Sequence, residues 1–502
     1  MISPVLVLLA LGGCNPWKNM PDEGTVEFDS VLWDAGGTVA LSDGLYARLP
    51  ESGGLVRIAP DGSALAVDVG EAVVRQIVPT PDPRLLVAFL RRTSCDDPEV
   101  DRLEDCPEED TQIKDELSTV SDGALAQPIP LETAYNELTF AEDTRWAVAT
   151  LDLDTADLSQ AGVVSLNSVS VIDLQSATAT QVPVGFDADA VFWTTDASGT
   201  ATRAVVLSQN QIAVIDLLAL VPALDTTFQL TLDPDLVVTP REVAVTEDGT
   251  HAILAVNGSP DVYVMDLVNP SINIVELGAV PDQMVPLPEI DATLITFAQT
   301  PQIVLLPDDT FDPDSIPLEE PLSSVVDAGD FLMLWARNRQ DVYRFDPLTR
   351  DLVEYRLQSN ALDLAVAPDG LTAVVFTSAN GIGFPGMELL DLADDDSTPF
   401  RLEGAGIGLA FTEDAAGTEL LLLQDQIDYL LKYDFSAATQ EEIELPAPAL
   451  GIGALPEGGP FYITHQSTLG LVSFLDGAEL ATVGGFAVQG LGDEPGLVEE
   501  TK

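Results

Sequence analysis

Lysine and histidine are nearly missing from this 502-residue chain, which holds four lysines (18, 114, 432 and 502) and two histidines, His251 and His465. All told, 20 basic residues stand against 83 acidic ones, for a formal charge of −63. Nucleic acid and anionic membrane surfaces are held through basic patches, so this composition argues against both as partners. The shortage of histidine removes the usual general base. A Ser-His-Asp arrangement needs a positioned imidazole, and no Gly-x-Ser-x-Gly is present. Both histidines read as surface or packing residues. No apolar run approaches the roughly 20 residues that a membrane-spanning helix requires. No helical period of useful length appears either.

What is present is a large apolar fraction. The chain is 46% hydrophobic with a mean hydropathy of +0.20, so it is not a disordered acidic tail. The apolar residues must fill a core and the acids must cover its surface. Such a surface favours cationic partners, divalent cations or high salt. A solubility coat in a salty environment and a specific electrostatic site both fit the charge.

The organising feature is a repeat. "REVAVTEDGTHAILAVNGSPDVYVMDL" (241–267), "LDLAVAPDGLTAVVFTSANGIGFPGMELLDL" (362–392) and "IGLAFTEDAAGTELLLLQDQIDYLLKYD" (407–434) share one pattern. An alternating strand leads to a turn with Asp or Gly, then to a nearly wholly apolar strand. After a loop, a third strand ends in Asp. A more polar fourth strand follows: "INIVELG", "TPFRLEG", "EEIELP". The closing aspartates are Asp173, Asp216, Asp266, Asp308, Asp346, Asp391, Asp434 and Asp476, spaced by 43, 50, 42, 38, 45, 43 and 42 residues. A four-stranded unit of about 40–45 residues is one blade of a β-propeller. One such sheet cannot bury both faces alone, but a ring of them can. The apolar second strands "AILAV", "TAVVF", "ELLLL" and "FLMLW" suit sheets covered on both faces.

The reading is therefore all-β: a propeller of four-stranded antiparallel blades, with eight clear repeats over 132–483 and up to ten in all. Two less regular units lie upstream, over 30–131, and the propeller as a whole is expected to span 30–492. The C-terminal "GGFAVQGLG" resembles an innermost strand with nothing after it. It is expected to complete the N-terminal blade and close the ring, leaving 493–502 as a tail. Two smaller propellers remain open, although no linker separates the repeats.

The N-terminus carries its own signal. "VLLALGGC" is an apolar stretch ending in small residues and a cysteine, the pattern of a secretory signal. Leu11-Gly12-Gly13-Cys14 resembles the lipobox of bacterial lipoproteins. That resemblance implies cleavage of residues 1–13, lipidation of Cys14 and a tether over 14–29. Multiple acyl chains anchor stably where one would not. It also implies a cell-envelope location with the lipid as sole membrane contact, and Asn15 in place of Asp favours the outer membrane. With Cys14 lipidated, Cys95 and Cys106 remain as a pair bracketing "DDPEVDRLED". In an exported protein they read as a disulfide. A zinc site is the rival, but two thiols without a nearby histidine are too few.

The "EDG" and "PDG" turns at Asp248-Gly249 and Asp369-Gly370, with third strands such as Val262–Leu267 and Val169–Leu174, resemble bacterial propellers of the YVTN and lactonase-like group. These motifs specify blades rather than an activity. The WD-repeat signature is absent. No catalytic residue is assigned and no cofactor is expected. Calcium is the one candidate ion, since "DLADDDSTP" (391–399) and "LPDDTFDPDS" (306–315) gather the oxygen ligands that hard cations take. Neither matches an EF-hand loop. The metal, if any, is unknown. "SANGIGFPG" (378–386) reads as an elongated loop between second and third strands. Loop 93–118, stapled by the presumed disulfide, and "DLDTADLSQAG" (152–162) are candidate recognition insertions. The functional expectation is a lipid-anchored binding or assembly scaffold for an envelope protein, peptide or glycan. The alternative is a propeller hydrolase or lactonase with a carboxylate-bound metal in its funnel.

Overall fold

Strand-forming runs alternate with Asp, Gly and Pro turns along nearly the whole chain, and each run pairs with the next. The computed structural model describes 25–27 and 38–489, except for 50–52, 96–110, 154–164, 197, 232–236, 239, 247, 379–384, 415–416, 436, 466–470, 478 and 485–486. Its strands form ten antiparallel sheets, nine of them built only from strands consecutive in sequence. The sheets occupy 38–67, 73–131, 137–183, 188–229, 240–276, 284–317, 324–356, 361–401, 406–444 and 449–484, here blades 1 to 10. Among the described residues, the sole helical element is the 3-10 turn Pro288–Ile290.

Burial grades across each blade as the hydropathy pattern demands. Second strands such as Trp146–Thr150, Ala292–Thr296 and Leu332–Trp335 are buried throughout. Fourth strands such as Thr439–Glu444 are mostly exposed, which puts them at the rim. First strands of neighbouring blades touch one another and surround the axis. The rim edges are therefore mostly polar, which discourages edge-to-edge association.

The blades are joined by their faces. Ten apolar clusters fill the ten gaps between them. Blades 1 and 2 meet through Leu55, Val74, Leu86 and Leu90, blades 4 and 5 through Val205, Val214, Ala252 and Leu254, and blades 8 and 9 through Val374, Phe376, Leu420 and Leu422. The decisive cluster joins the two ends of the chain: Leu45, Val56 and Ile58 of blade 1 pack on Leu455, Val472 and Phe474 of blade 10. The chain is a closed ten-bladed β-propeller.

Two expectations about the ends change. The upstream units have the same four-strand topology as the others, and blade 2 departs mainly through a long hairpin, Leu86–Cys95 against Thr111–Ser121. The C-terminal strand Ala487–Gln489 does join the N-terminal sheet, but not as its innermost strand. That position is already filled by Thr38–Leu41, so Ala487–Gln489 lies beyond the fourth strand, parallel to it through Gln489 and Leu65. Thr25–Glu27, at the end of the expected tether, pairs on its far side. Packing of faces therefore closes the ring, and the C-terminal strand adds a tie at the outer edge of blade 1 instead of supplying its inner strand.

The "DG" turns have a packing role as well as a conformational one. Gly370 has φ +65°, and a Cβ there would sit 2.7 Å from the carbonyl oxygen of Ala328 in the preceding blade. Gly199 has φ +79° with nothing within 4 Å. Gly199→Ala should cost about 1 kcal/mol for the left-handed backbone alone. Gly370→Ala should cost roughly 2–3 kcal/mol, because the neighbouring backbone must also move. Denaturant unfolding of the two variants checks this, and equal losses would remove the inter-blade contact from the explanation.

Candidate functional site

In an antiparallel blade, the turn joining strands one and two and the turn joining strands three and four leave the same edge. In the ring, all twenty such turns therefore open on one face of the disc. Carboxylates populate that face for a local reason. An Asp side chain readily accepts the backbone amide two residues on, which closes an Asx turn. In first turns, Asp82 accepts from Arg84, Asp143 from Arg145, Asp196 from Ser198, Asp248 from Thr250 and Asp369 from Leu371, at 2.8–3.0 Å.

The closing aspartates of the sequence ruler do the same in the outer turns. Asp173, Asp216, Asp266, Asp346, Asp391 and Asp434 each accept a turn amide at 2.7–3.1 Å. The amides of Asn269 and Thr349 hold Asp266 and Asp346 below the usual carboxylate range. Two concentric rings of carboxylates result. Some also latch blades together: the Ala201 amide donates to Asp143 (2.9 Å) and the Thr418 hydroxyl to Asp369 (2.7 Å), each from the next blade.

One ruler aspartate departs from this rule. Asp308, in the outer turn of blade 6, is half-buried, and its Oδ1 is enclosed without a hydrogen-bond partner. Burial pushes its pKa up to about 6, and the nearby charges of Asp248 and Asp291 add to that. It lines a cavity of about 800 Å³ together with Thr195, Asp196, Asp248, Asp291 and Asp309, drawn from blades 4, 5 and 6. It also lines an adjoining hollow of about 480 Å³ with Glu142, Trp193 and Thr195. His251 borders this region, with Nδ1 2.8 Å from the Thr250 hydroxyl and its ring 5.1 Å from that of Phe311. A concave wall lined by several like charges attracts a cationic group.

The other sequence candidates fall as follows. The two acidic stretches 306–315 and 391–399 are outer turns of blades 6 and 8 on this same face. Among the described residues, no group of three or more His, Cys, Asp or Glu side chains is placed to hold a metal ion. His465 is buried, bonded through Nδ1 to the Ala447 carbonyl (2.9 Å) and through Nε2 to the Ser473 hydroxyl (2.8 Å), which is a packing role. Loop 378–386 joins the second and third strands of blade 8, as expected from its sequence, with 379–384 outside the described residues. The expected loop 93–118 is strand wherever it is described, since 93–95 and 111–118 extend the paired second and third strands of blade 2, and 152–162 lies between the same two strands of blade 3. Both connections leave from the opposite face, and 96–110 and 154–164 lie outside the described residues. So do Cys14 and Cys106, while Cys95 ends the strand Leu86–Cys95, across from Thr111.

No protein-family model and no curated protein sequence matches this chain. Among solved structures it is similar to dihydro-heme d1 dehydrogenase NirN in complex with DHE, at 13% identity and TM-score 0.38, covering 72% of this chain and 82% of that one. It is similar to a hydrazine synthase of Kuenenia stuttgartiensis, at 12% identity and TM-score 0.31, covering 47% and 76%. A eukaryotic initiation factor gives 13% identity and TM-score 0.49, covering 81% and 96%. Likenesses this distant carry no argument about activity.

The environment of Asp308 makes a pH signature. Its folded pKa of about 6 lies above the ordinary value of 3.8, so the folded state holds this proton more tightly than the unfolded chain. Ionised Asp308 therefore weakens the fold above pH 6, and stability returns as pH falls from 7 towards 4. For an enclosed group, the displacement would be worth about 3 kcal/mol. Solvent on one side reduces that to roughly 1 kcal/mol. Asp308→Asn should stabilise the protein by that amount at pH 7.5 and by almost nothing at pH 4. Unfolding curves at the two pH values check it, and a pH-independent difference would contradict the assignment.

Proposed function

We propose that this protein is a lipid-anchored, cell-envelope binding scaffold that presents its carboxylate-rich face to a protein or peptide partner. The observation that carries the reading is the collection of both turn sets on one face, with an acid-lined cavity in which the Oδ1 of Asp308 is enclosed without a hydrogen-bond partner. Charge of one sign in a concave site focuses the potential and speeds association with a complementary partner. A rigid ring of packed sheets pre-organises that surface, so binding orders little of the scaffold. The anchor belongs to the same reading: signal 1–13 removed, Cys14 acylated at the outer membrane, and Cys95 bonded to Cys106 in an oxidising compartment. A glycan is the less favoured partner, because a dense field of carboxylates selects for positive charge.

Two measurements test this reading. Intact mass of the membrane-extracted protein should give a chain beginning at acylated Cys14, with Cys14→Ala released from the membrane. A photo-crosslinking residue at position 309, on the acidic face, should capture a stoichiometric envelope partner in cells. The same residue at position 337, on the opposite face, should capture at least tenfold less. Equal capture at both positions, or none at either, would overturn the assignment of the binding face.

A further inference from the structure

The outer turn of blade 4 breaks the rule its neighbours follow. Between Asp216 and Asp225 the chain reads "LLALVPAL", eight apolar residues in succession. The corresponding turns contain polar residues elsewhere: "LQSA" in blade 3, "LVNP" in blade 5, "PLTRD" in blade 7 and "LADD" in blade 8. Leu217 is buried, but Leu218 is 72%, Leu220 103%, Val221 56% and Leu224 39% exposed. A solvent-facing run of this length is an error in a folded protein unless it has a use. The patch continues sideways: Arg203, paired across from Asp216, donates to the carbonyl of Leu267, which places exposed Val268 of blade 5 beside it. It also walls a groove of about 330 Å³ against blade 3, with Trp146, Val171, Leu217, Leu220 and Pro222 along its apolar side.

Charge decides what covers this patch. A second copy would bring another chain of formal charge −63 against this one, and an anionic bilayer would be repelled in the same way. The acid-lined cavity begins at Asp196, in the inner turn of this same blade. Two strand spacings separate inner from outer turns, about 10 Å. From that near edge the hollow runs on through Asp248 of blade 5 to Asp291 and Asp309 of blade 6. An apolar ridge beside an extended anionic hollow matches a helix or strand with leucine-type residues at one part and lysine or arginine along the rest. We propose that blade 4 docks an amphipathic, cationic segment of a partner protein, with its apolar side chains on Leu218, Leu220 and Val221 and its cations at Asp248, Asp291 and Asp309. This inference rests on the acidic-face reading above and adds the chemical class of the partner.

The test uses the full chain carrying Cys14→Ala, so that no acyl group contributes, at 0.15 M salt. The probes are an 18-residue Leu/Lys amphipathic helix and the same peptide with every Leu replaced by Ser. The chain should bind the Leu/Lys peptide at least tenfold more tightly than the Ser/Lys peptide. The exposed-loop variant Leu218→Ser/Leu220→Ser/Val221→Ser, checked for an unchanged unfolding midpoint, should bind both peptides at the Ser/Lys level. The variant Asp248→Asn/Asp291→Asn/Asp309→Asn should weaken both. Equal binding of the two peptides, or a preference that survives in the loop variant, overturns the inference while leaving the acidic-face reading standing. Failure of the chain to bind either peptide sinks both. Binding to zwitterionic vesicles that the loop variant loses would assign the loop to a bilayer and overturn the peptide proposal.

Discussion

Face-to-face packing between neighbouring sheets is the interaction on which everything else in this molecule depends. No blade could stand alone, because its second and third strands are apolar on both faces. Leu420 to Leu423 illustrate the point: Leu420 and Leu422 face blade 8, while Leu421 and Leu423 face blade 10. The alternation of a single strand thus feeds two cores. Buried this way, each strand gains twice what a half-exposed strand would, at roughly 25 cal/mol per Å² of apolar surface. The arrangement is self-consistent only as a closed ring, which is why the pairing of blade 1 with blade 10 through Leu45, Val56, Val472 and Phe474 matters more than any terminal strand.

A second constraint follows from the first. With all blades oriented alike, whatever chemistry favours the two hairpin turns is repeated around one face. Aspartate is selected there one turn at a time, for its hold on a backbone amide, yet the sum is an electrostatic surface. The net charge of the chain is in part a by-product of turn chemistry. The informative positions are those that break the pattern: Asp308, which satisfies no turn amide, and the apolar outer turn of blade 4.

Much of the fold was legible in the sequence because its signals are local. The closing aspartates mark third-strand ends, and the structure shows the hydrogen bonds that put them there. The apolar second strands announce two-sided burial. Blade count was less legible, since the long hairpin of blade 2 and the short strands of blade 1 stretch the period. The role of Ala487–Gln489 was misjudged for a related reason: its sequence suits an inner or an outer strand, and only the presence of Thr38–Leu41 decides between them. The site was hardly legible. Asp196, Asp248, Asp291 and Asp308 stand in three different repeats, and no spacing announces that their turns converge. The run 217–224 did carry a signal, because it is apolar where sister repeats are polar, but that is visible only once the repeats are aligned turn against turn.

Closure without exchange of a core strand has an evolutionary meaning. In a ring sealed by exchanging a strand between its ends, the first and last units are covalently interdigitated, and the number of units is hard to change. Here the four core strands of every unit are one continuous stretch of chain, the seam packs face to face like the other nine joints, and the C-terminal strand only extends the outer edge of blade 1. A duplication or loss of one whole unit would leave every remaining hairpin intact and ask only for a small change in the angle between neighbours. The unusually large ring is the sort of object that grows by counting, and each face-to-face joint is a place where the count can change.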